Sequence, residues 1–259
     1  MISKMKRTLL LFCFLLPLFG FAQTDSLLSG MYQWREPSGG SQPLAATVLF
    51  EGKVHDMEWL QMNAASLRLT KTPVALHTPA SEEALLIVKE GILILQQNEK
   101  PDTITAGSIA LLLPGEQWSL RNSQKAPATF YLMKYRSKQP VDEERGKSNG
   151  GSLVINWNKT VFKPHDKGGR RDFFERPTVM CKRMEMHVST LNVGLKSHEP
   201  HTHRAEEIVL VTDGQTKMQI GDKFYKGGAG SIYYLGSNVP HAVQNSGEKP
   251  CSYFAFQFE

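Results

Sequence analysis

The chain repeats itself. Leu49-Phe50-Glu51 recurs 124 positions later as Phe173-Phe174-Glu175, and Ser66-Leu67 recurs as Thr190-Leu191. His77 and Glu83 return at the same spacing as His201 and Glu207. After a one-residue slip the offset is 123, carrying Gly91 onto Gly214, Gly107-Ser108-Ile109 onto Gly230-Ser231-Ile232, and Asn122 onto Asn245. Trp34 falls on Trp157 at that offset too. A register kept through most of both halves reads as a duplication, so whatever one half folds into, the other must fold into as well.

Each copy reads as short strands. In the first, Leu85-Leu86-Ile87-Val88, the turn Lys89-Glu90-Gly91 and Ile92-Leu93-Ile94-Leu95 form a hairpin-like unit. The apolar run 109–113 stops at Pro114-Gly115, and 129–135 closes the copy. In the second, Gly221-Asp222 reads as a hairpin turn between 216–220 and 223–225. Phe254, Phe256 and Phe258 share one face, as core or as packing between the copies. No long segment sustains a helical period. The fold class is therefore all-β, with copies over 30–137 and 153–259. Residues 138–152, polar and rich in charge and glycine, read as a linker with no core face to bury.

The chemistry concentrates in the second copy. Along an extended strand alternate side chains share a face. His201, His203 and Glu207 therefore point the same way, with Val209 and Val211 continuing that face and Glu206 opposed. A further imidazole, His241, follows a Gly/Ser/Asn/Pro turn at the head of another apolar strand. Three imidazoles and one carboxylate suit a divalent first-row transition metal, whether Mn, Fe, Ni, Zn or Cu.

These two stretches resemble the paired motifs of the cupin superfamily. The first is carried by Gly194, His201, His203, Glu207 and Gly214, with one residue more than usual between Gly194 and His201. The second is carried by His241 and Asn245, with Tyr234 at the proline position and a turn two residues longer than usual. The resemblance implies two tandem jelly-roll barrels and one metal held by His201, His203, Glu207 and His241. It also implies a homodimer, since cupin sheets often pair edge to edge. In the first copy the same alignment sets Pro79 against His203 and Trp118 against His241, leaving only His77 and Glu83. That copy is expected to be structural, with Trp118 filling the space of an imidazole.

Residues 1–22 have the three-part layout of a secretory signal peptide: Lys4, Lys6 and Arg7, then an apolar run containing Cys13, then Gly20-Phe21-Ala22 before Gln23. The run is too short for a comfortable membrane span. Its removal lowers the net charge from +5 to +2, because it carries three cations and no acid. So small a charge gives no case for nucleic acid or an anionic membrane as partner. An exported protein, periplasmic or secreted, is expected. Cys181 and Cys251 are read as buried free thiols, although the compartment permits a disulfide.

A metal on these ligands would act as Lewis acid, activator of water or binder of dioxygen. The resemblance implies a metal-dependent enzyme on a small polar molecule, of isomerase, aminohydrolase or dioxygenase type. The alternative is a non-catalytic binding barrel with a structural metal or none. His187, whose counterpart is Asn63, is a candidate general acid or base. Tyr233 or Tyr234, one of which should face the barrel interior, could supply a hydroxyl or simply pack the barrel; Tyr234 is taken as the candidate. His198 would support the ligands, and Arg170-Arg171 reads first as a solvated or subunit-contacting loop, with guidance of an anionic substrate as the alternative.

Overall fold

The computed structural model describes residues 26–38, 40–97 and 101–259. The leader reading for 1–22, with Cys13, lies outside them. The regular structure of the described chain is nearly all β, arranged in four antiparallel sheets. The first copy supplies most of a six-stranded sheet and all of a four-stranded one. The second supplies most of a seven-stranded sheet and all of a three-stranded one.

The pairing registers repeat at an offset of 123. Ala84 lies opposite Leu112 as Glu207 lies opposite Leu235. Leu95 faces Leu120 as Met218 faces Val243. In the strand Met57–Leu67 the offset is 124, so Asn63 faces Leu132 as His187 faces Ala255. The duplication is thus present in the hydrogen-bonding pattern itself.

Glu83–Glu90 and Ile92–Gln96 are both strands but do not form the expected hairpin. The first belongs to the six-stranded sheet and the second to the four-stranded one. The chain changes sheet at Gly91, and at Gly214 in the second copy. Alternation establishes the strands but not their partners. The hairpin at Gly221-Asp222 does form, with Ile220 opposite Lys223.

The copies exchange their first strands. Gly30–Gln33 pairs with Ser231–Leu235 in the second copy's sheet, and Leu153–Ile155 pairs with Ile109–Leu112 in the first copy's sheet. The copies therefore overlap in space at boundaries that sequence places at 30 and 153. Between the two large sheets lies the principal core. Leu60, Met62 and Tyr131 from one copy meet Met184, Phe254, Phe256 and Phe258 from the other. Each such side chain removed from water contributes about 1.5–3 kcal/mol, so the two copies share a single interior.

The segment 138–152 is more than a linker. Glu143–Ser148 is a short helix, and the Asp142 carboxylate at its N-terminus accepts the Arg145 N–H at 2.9 Å. Gly146 is buried against Val179, and the Arg145 guanidinium donates to the carbonyls of Thr178 and Val179, each at 2.7 Å. Polar composition does not prevent docking when backbone carbonyls are the partners. Cys181 and Cys251 are buried free thiols in separate apolar clusters.

The register also corrects the equivalences drawn for the first copy. Trp118 pairs with Leu76 as His241 bridges to His201. Gly115 N–H donates to Thr78 O as Asn238 N–H donates to His203 O. The counterparts of His201, His203, Glu207 and His241 are therefore Leu76, Thr78, Ala84 and Trp118. His77 is exposed, and neither it nor Glu83 occupies a ligand position. Trp118 is buried and donates its indole N–H to Thr78 Oγ1 at 3.1 Å.

Candidate metal centre

The strand Met184–Leu191 divides its faces by alternation. Met184, Met186 and Val188 enter the shared core, while Glu185, His187 and Ser189 line a cavity of about 330 Å³ inside the second copy. Directly paired residues share a face, and the strand Glu206–Asp213 pairs Val209 with Tyr233 and Ile208 with Tyr234. Glu207 and Val209 therefore face the cavity. Ile208 and Tyr234 face the core between copies.

Tyr234 is thus not a cavity residue. It donates its hydroxyl to Glu206 on the opposite face, and Glu206 also accepts the His55 N–H at 2.8 Å. Tyr233 is the inward one of the pair, but its hydroxyl is bonded to Thr216 at 2.9 Å. The register of the antiparallel neighbour decides this parity, and the local sequence does not state it.

His201, His203 and His241 converge, each placing a ring nitrogen within 4.8 Å of the others. His201 and His203 precede the strand that begins at Glu206, and an isolated bridge joins His201 to His241 at the head of His241–Asn245. Their backbones exchange hydrogen bonds at 3.2 and 3.1 Å. Glu207 joins from below, with Oε2 3.1 Å from His203 Nε2 and 3.4 Å from His241 Nε2.

The tautomers follow from the partners. His203 Nδ1 lies 2.7 Å from Ala205 O, and His241 Nδ1 lies 2.8 Å from Val239 O. A carbonyl only accepts, so both Nδ1 atoms carry a proton and both rings turn Nε2 toward the cavity. Burial alone would raise the Glu207 carboxyl, but His203 and His241 outweigh it and hold it down to about 2. His241 Nε2 is buried without a hydrogen-bond partner among the described residues. When the rings are neutral, their Nε2 lone pairs and the Glu207 carboxylate converge as a donor set for a cation. A divalent transition metal fits this donor set.

The surrounding side chains are ordered around a second carboxylate. Glu185, almost fully buried, meets His187 Nδ1 at 2.8 Å and Arg170 at 2.6 Å. Burial works against its ionisation, yet His187 and Arg170 lower its pKa below the ordinary value. Arg170 also pairs with Asp172, whereas Arg171 stacks on Trp157 at 4.6 Å and donates to Thr160 O, outside the cavity. His198 packs edge-on to His201, ring centres 3.9 Å apart.

Sequence reading missed Gln257 and Lys167. Gln257 amide nitrogen lies 3.3 Å from both His203 Nε2 and Glu207 Oε2. It is the polar residue between Phe256 and Phe258, so the same alternation could have found it. Lys167 reaches the cavity from its loop by bonding to Ser197 O at 2.8 Å, for which no local signal exists.

The sequence has no match among curated proteins. Several solved structures share its fold. A putative glyoxylate induced protein from Pseudomonas aeruginosa is 17% identical with a TM-score of 0.66, covering 92% of this chain and 84% of that one. Oxalate decarboxylase from Bacillus subtilis is 13% identical with a TM-score of 0.62, covering 91% and 78%. A cupin 2 conserved barrel domain protein from Leptotrichia buccalis is 13% identical with a TM-score of 0.54, covering 86% and 91%. Residues 187–256, which include His187 and the whole histidine cluster, match the Cupin domain family. A stretch of the chain is thus similar to the Cupin domain, and the whole shares its fold with these structures.

Proposed function

We propose that this chain is a two-copy cupin, two jelly-roll barrels in tandem, whose second copy alone holds a divalent transition metal on His201, His203, Glu207 and His241. We further propose that it is an exported enzyme acting on a small carboxylate. The observation that carries the reading is the convergence of His201, His203 and His241 with Glu207, where buried His241 Nε2 has no protein partner among the described residues closer than Glu207 Oε2 at 3.4 Å. The metal would supply Lewis-acid or oxygen chemistry to the bound molecule. The first copy has Leu76, Thr78, Ala84 and Trp118 at the matching positions and offers no such donor set.

The cavity's own residues suggest how a substrate would be held and served. The Lys167 ammonium, fixed by Ser197 O, retains donors for an anionic group. Ionised Glu185 accepts from His187 Nδ1 and so leaves Nε2 to exchange a proton with a cavity ligand. Arg170 keeps that carboxylate ionised and in place. Gln257 directs its amide at His203 and Glu207 and fixes their orientation. The fold neighbour that is an oxalate decarboxylase is consistent with a small carboxylate but does not by itself select one.

The test is to load the purified protein with each metal and offer oxalate, then larger hydroxy and aromatic carboxylates, following carbon dioxide release and oxygen uptake together. Turnover lost in His241→Ala supports the reading. Saturable carboxylate binding with no turnover under any metal overturns the enzyme and leaves the binding barrel.

A further inference from the structure

Two residues beside the clustered ligands of the second copy reach across to the first copy. Glu206, next to Glu207, is buried and accepts the His55 N–H at 2.8 Å and the Asp56 N–H at 3.4 Å. Arg204, next to His203, donates to Asp56 Oδ1 at 2.8 Å and to Glu259 Oε2 at 3.0 Å. His203 lies between the bridge at His201 and the strand that begins at Glu206, and its carbonyl accepts the Asn238 N–H at 2.8 Å. Its ring turns to the cluster, so Arg204 is the side chain that anchors this stretch on the outside. The Asp56 side chain is only 23% exposed, so the pair is screened less than one in open solvent.

The duplication supplies an internal control. Val54 N–H donates to Met57 O as Thr178 N–H donates to Cys181 O. His55 N–H donates to Glu206 as Val179 N–H donates to Glu83. Asp56 therefore stands where the second copy has Met180. After Thr78, the counterpart of His203, the first copy runs Pro79-Ala80-Ser81-Glu82 and has no cation. The buried carboxylate caps are common to both copies. The Asp56–Arg204 pair exists only on the side that carries the three histidines, whereas a device for joining the copies would be expected on both.

We propose that Asp56 of the first copy is a positioning residue for the metal centre of the second, fixing through Arg204 the stretch that presents His203. This rests on the metal reading given above. The first copy, which has no donor set of its own, thereby takes part in the site: it holds one ligand-bearing stretch in the geometry that a metal requires before the metal arrives.

The experiment is titration of the metal-free protein with Co²⁺ in the parent, Asp56→Ala, Arg204→Met and the double variant, beside hydrogen exchange and melting of the metal-free forms. Asp56→Ala is expected to weaken Co²⁺ binding about threefold to tenfold, less than loss of a group bonded directly to a ligand. It is expected to add nothing in the Arg204→Met background, as a single route through Arg204 requires. Amides 203–207 are expected to exchange faster in Asp56→Ala, while those of 78–84 keep the parent rate. Unchanged Co²⁺ affinity, with or without a lower melting temperature, would make the pair a seam contact only and overturn the inference. Unchanged exchange at 203–207, or an affinity loss that persists undiminished in Arg204→Met, would overturn it too. All three leave the metal reading standing, whereas a parent that binds no Co²⁺ overturns both.

Discussion

Tyr135 donates its hydroxyl to Glu83 at 2.8 Å, inside the seam where the two copies meet. Glu83 also accepts Thr178 Oγ1 at 2.7 Å and the Val179 N–H at 2.8 Å, both from the other copy. The duplicated position is Glu206, which ties Tyr234 to His55 and Asp56 in the same manner. Each copy thus sends one buried carboxylate to cap a loop of its partner. Glu83→Ala strands three buried donors, and each unsatisfied one costs about 1–3 kcal/mol. A loss of about 3 kcal/mol or more is expected in chemical denaturation. A loss below about 1 kcal/mol would show that the carboxylate is not what joins the copies.

The same residue gives stability a pH dependence. Burial raises the Glu83 carboxyl above its ordinary value of 4.5, against the lowering effect of its hydrogen bonds from Thr178, Tyr135 and Val179. A group raised in the folded state binds protons more readily folded than unfolded. Its contribution is therefore complete below about pH 4.5 and is lost as pH rises through the folded pKa. Glu185 and Glu207, both lowered, work in the opposite direction and lose their contribution in acid. Melting temperatures from pH 4 to 8 are expected to fall less steeply in Glu83→Gln than in the parent. Parallel curves would contradict the assignment.

Metal content offers the most direct test of the second copy. Elemental analysis is expected to find about one divalent metal per chain, from the single donor set. It should be lost in His203→Ala and His241→Ala, and retained in Trp118→Ala. Adding metal at a hundredfold excess over its dissociation constant is expected to stabilise the parent by about 2.7 kcal/mol and leave His241→Ala unmoved. Loss of metal in Trp118→Ala would place a donor in the copy that has Leu76, Thr78 and Ala84 at the matching positions.

Two left-handed glycines pack against the tryptophans that follow the exchanged strands. A Cβ on Gly107 would stand 2.6 Å from the Trp157 ring, at a φ of +83°. On Gly230 it would stand 3.1 Å from the Trp34 Cβ, at +89°. On Gly115, at +77°, it would meet nothing within 4 Å. The left-handed backbone alone costs about 1–2 kcal/mol. Alanine is therefore expected to destabilise in the order Gly107, Gly230, Gly115, with Gly115→Ala reporting the backbone term alone. Equal losses at all three would mean that the tryptophans do not dock against these turns.

Much of this was legible in the residues. Alternation marked the strands around the cluster and the aromatic stripe of Phe254, Phe256 and Phe258. The duplication was readable too, because its register survives in residues such as Gly107, Gly230, Asn122 and Asn245. What alternation cannot carry is the identity of the partner strand. It therefore could not choose between Tyr233 and Tyr234 and favoured Tyr234 where Tyr233 faces inward, joined Glu83–Glu90 to Ile92–Gln96, and left the exchanged strands in their own copies. The pairing of Glu83 with Glu207 failed for a related reason. The spacing between the bridge residue and the strand differs between copies: seven positions separate Leu76 from Glu83, and five separate His201 from Glu206. A constant offset across that segment lands one residue out.

The Glu185–His187 pair separates positioning from metal binding. Glu185 holds His187 through Nδ1 and touches none of the three clustered histidines, so its loss should spare the metal while freeing the ring. In Glu185→Gln the amide would face Arg170 and His187 with one acceptor where the carboxylate offered two, and the ring loses its fixed tautomer. With a substrate in hand, Glu185→Gln is expected to lower kcat about tenfold to a hundredfold, and His187→Asn, which restores the first copy's Asn63, by about 10²–10⁴. Metal content should remain at the parent level in both. The pH profile is the decisive readout. If His187 exchanges the proton, its limb of the kcat/KM profile moves in Glu185→Gln and vanishes in His187→Asn. An unmoved profile with lower kcat would make the pair a packing element of the cavity wall and return the proton step to solvent.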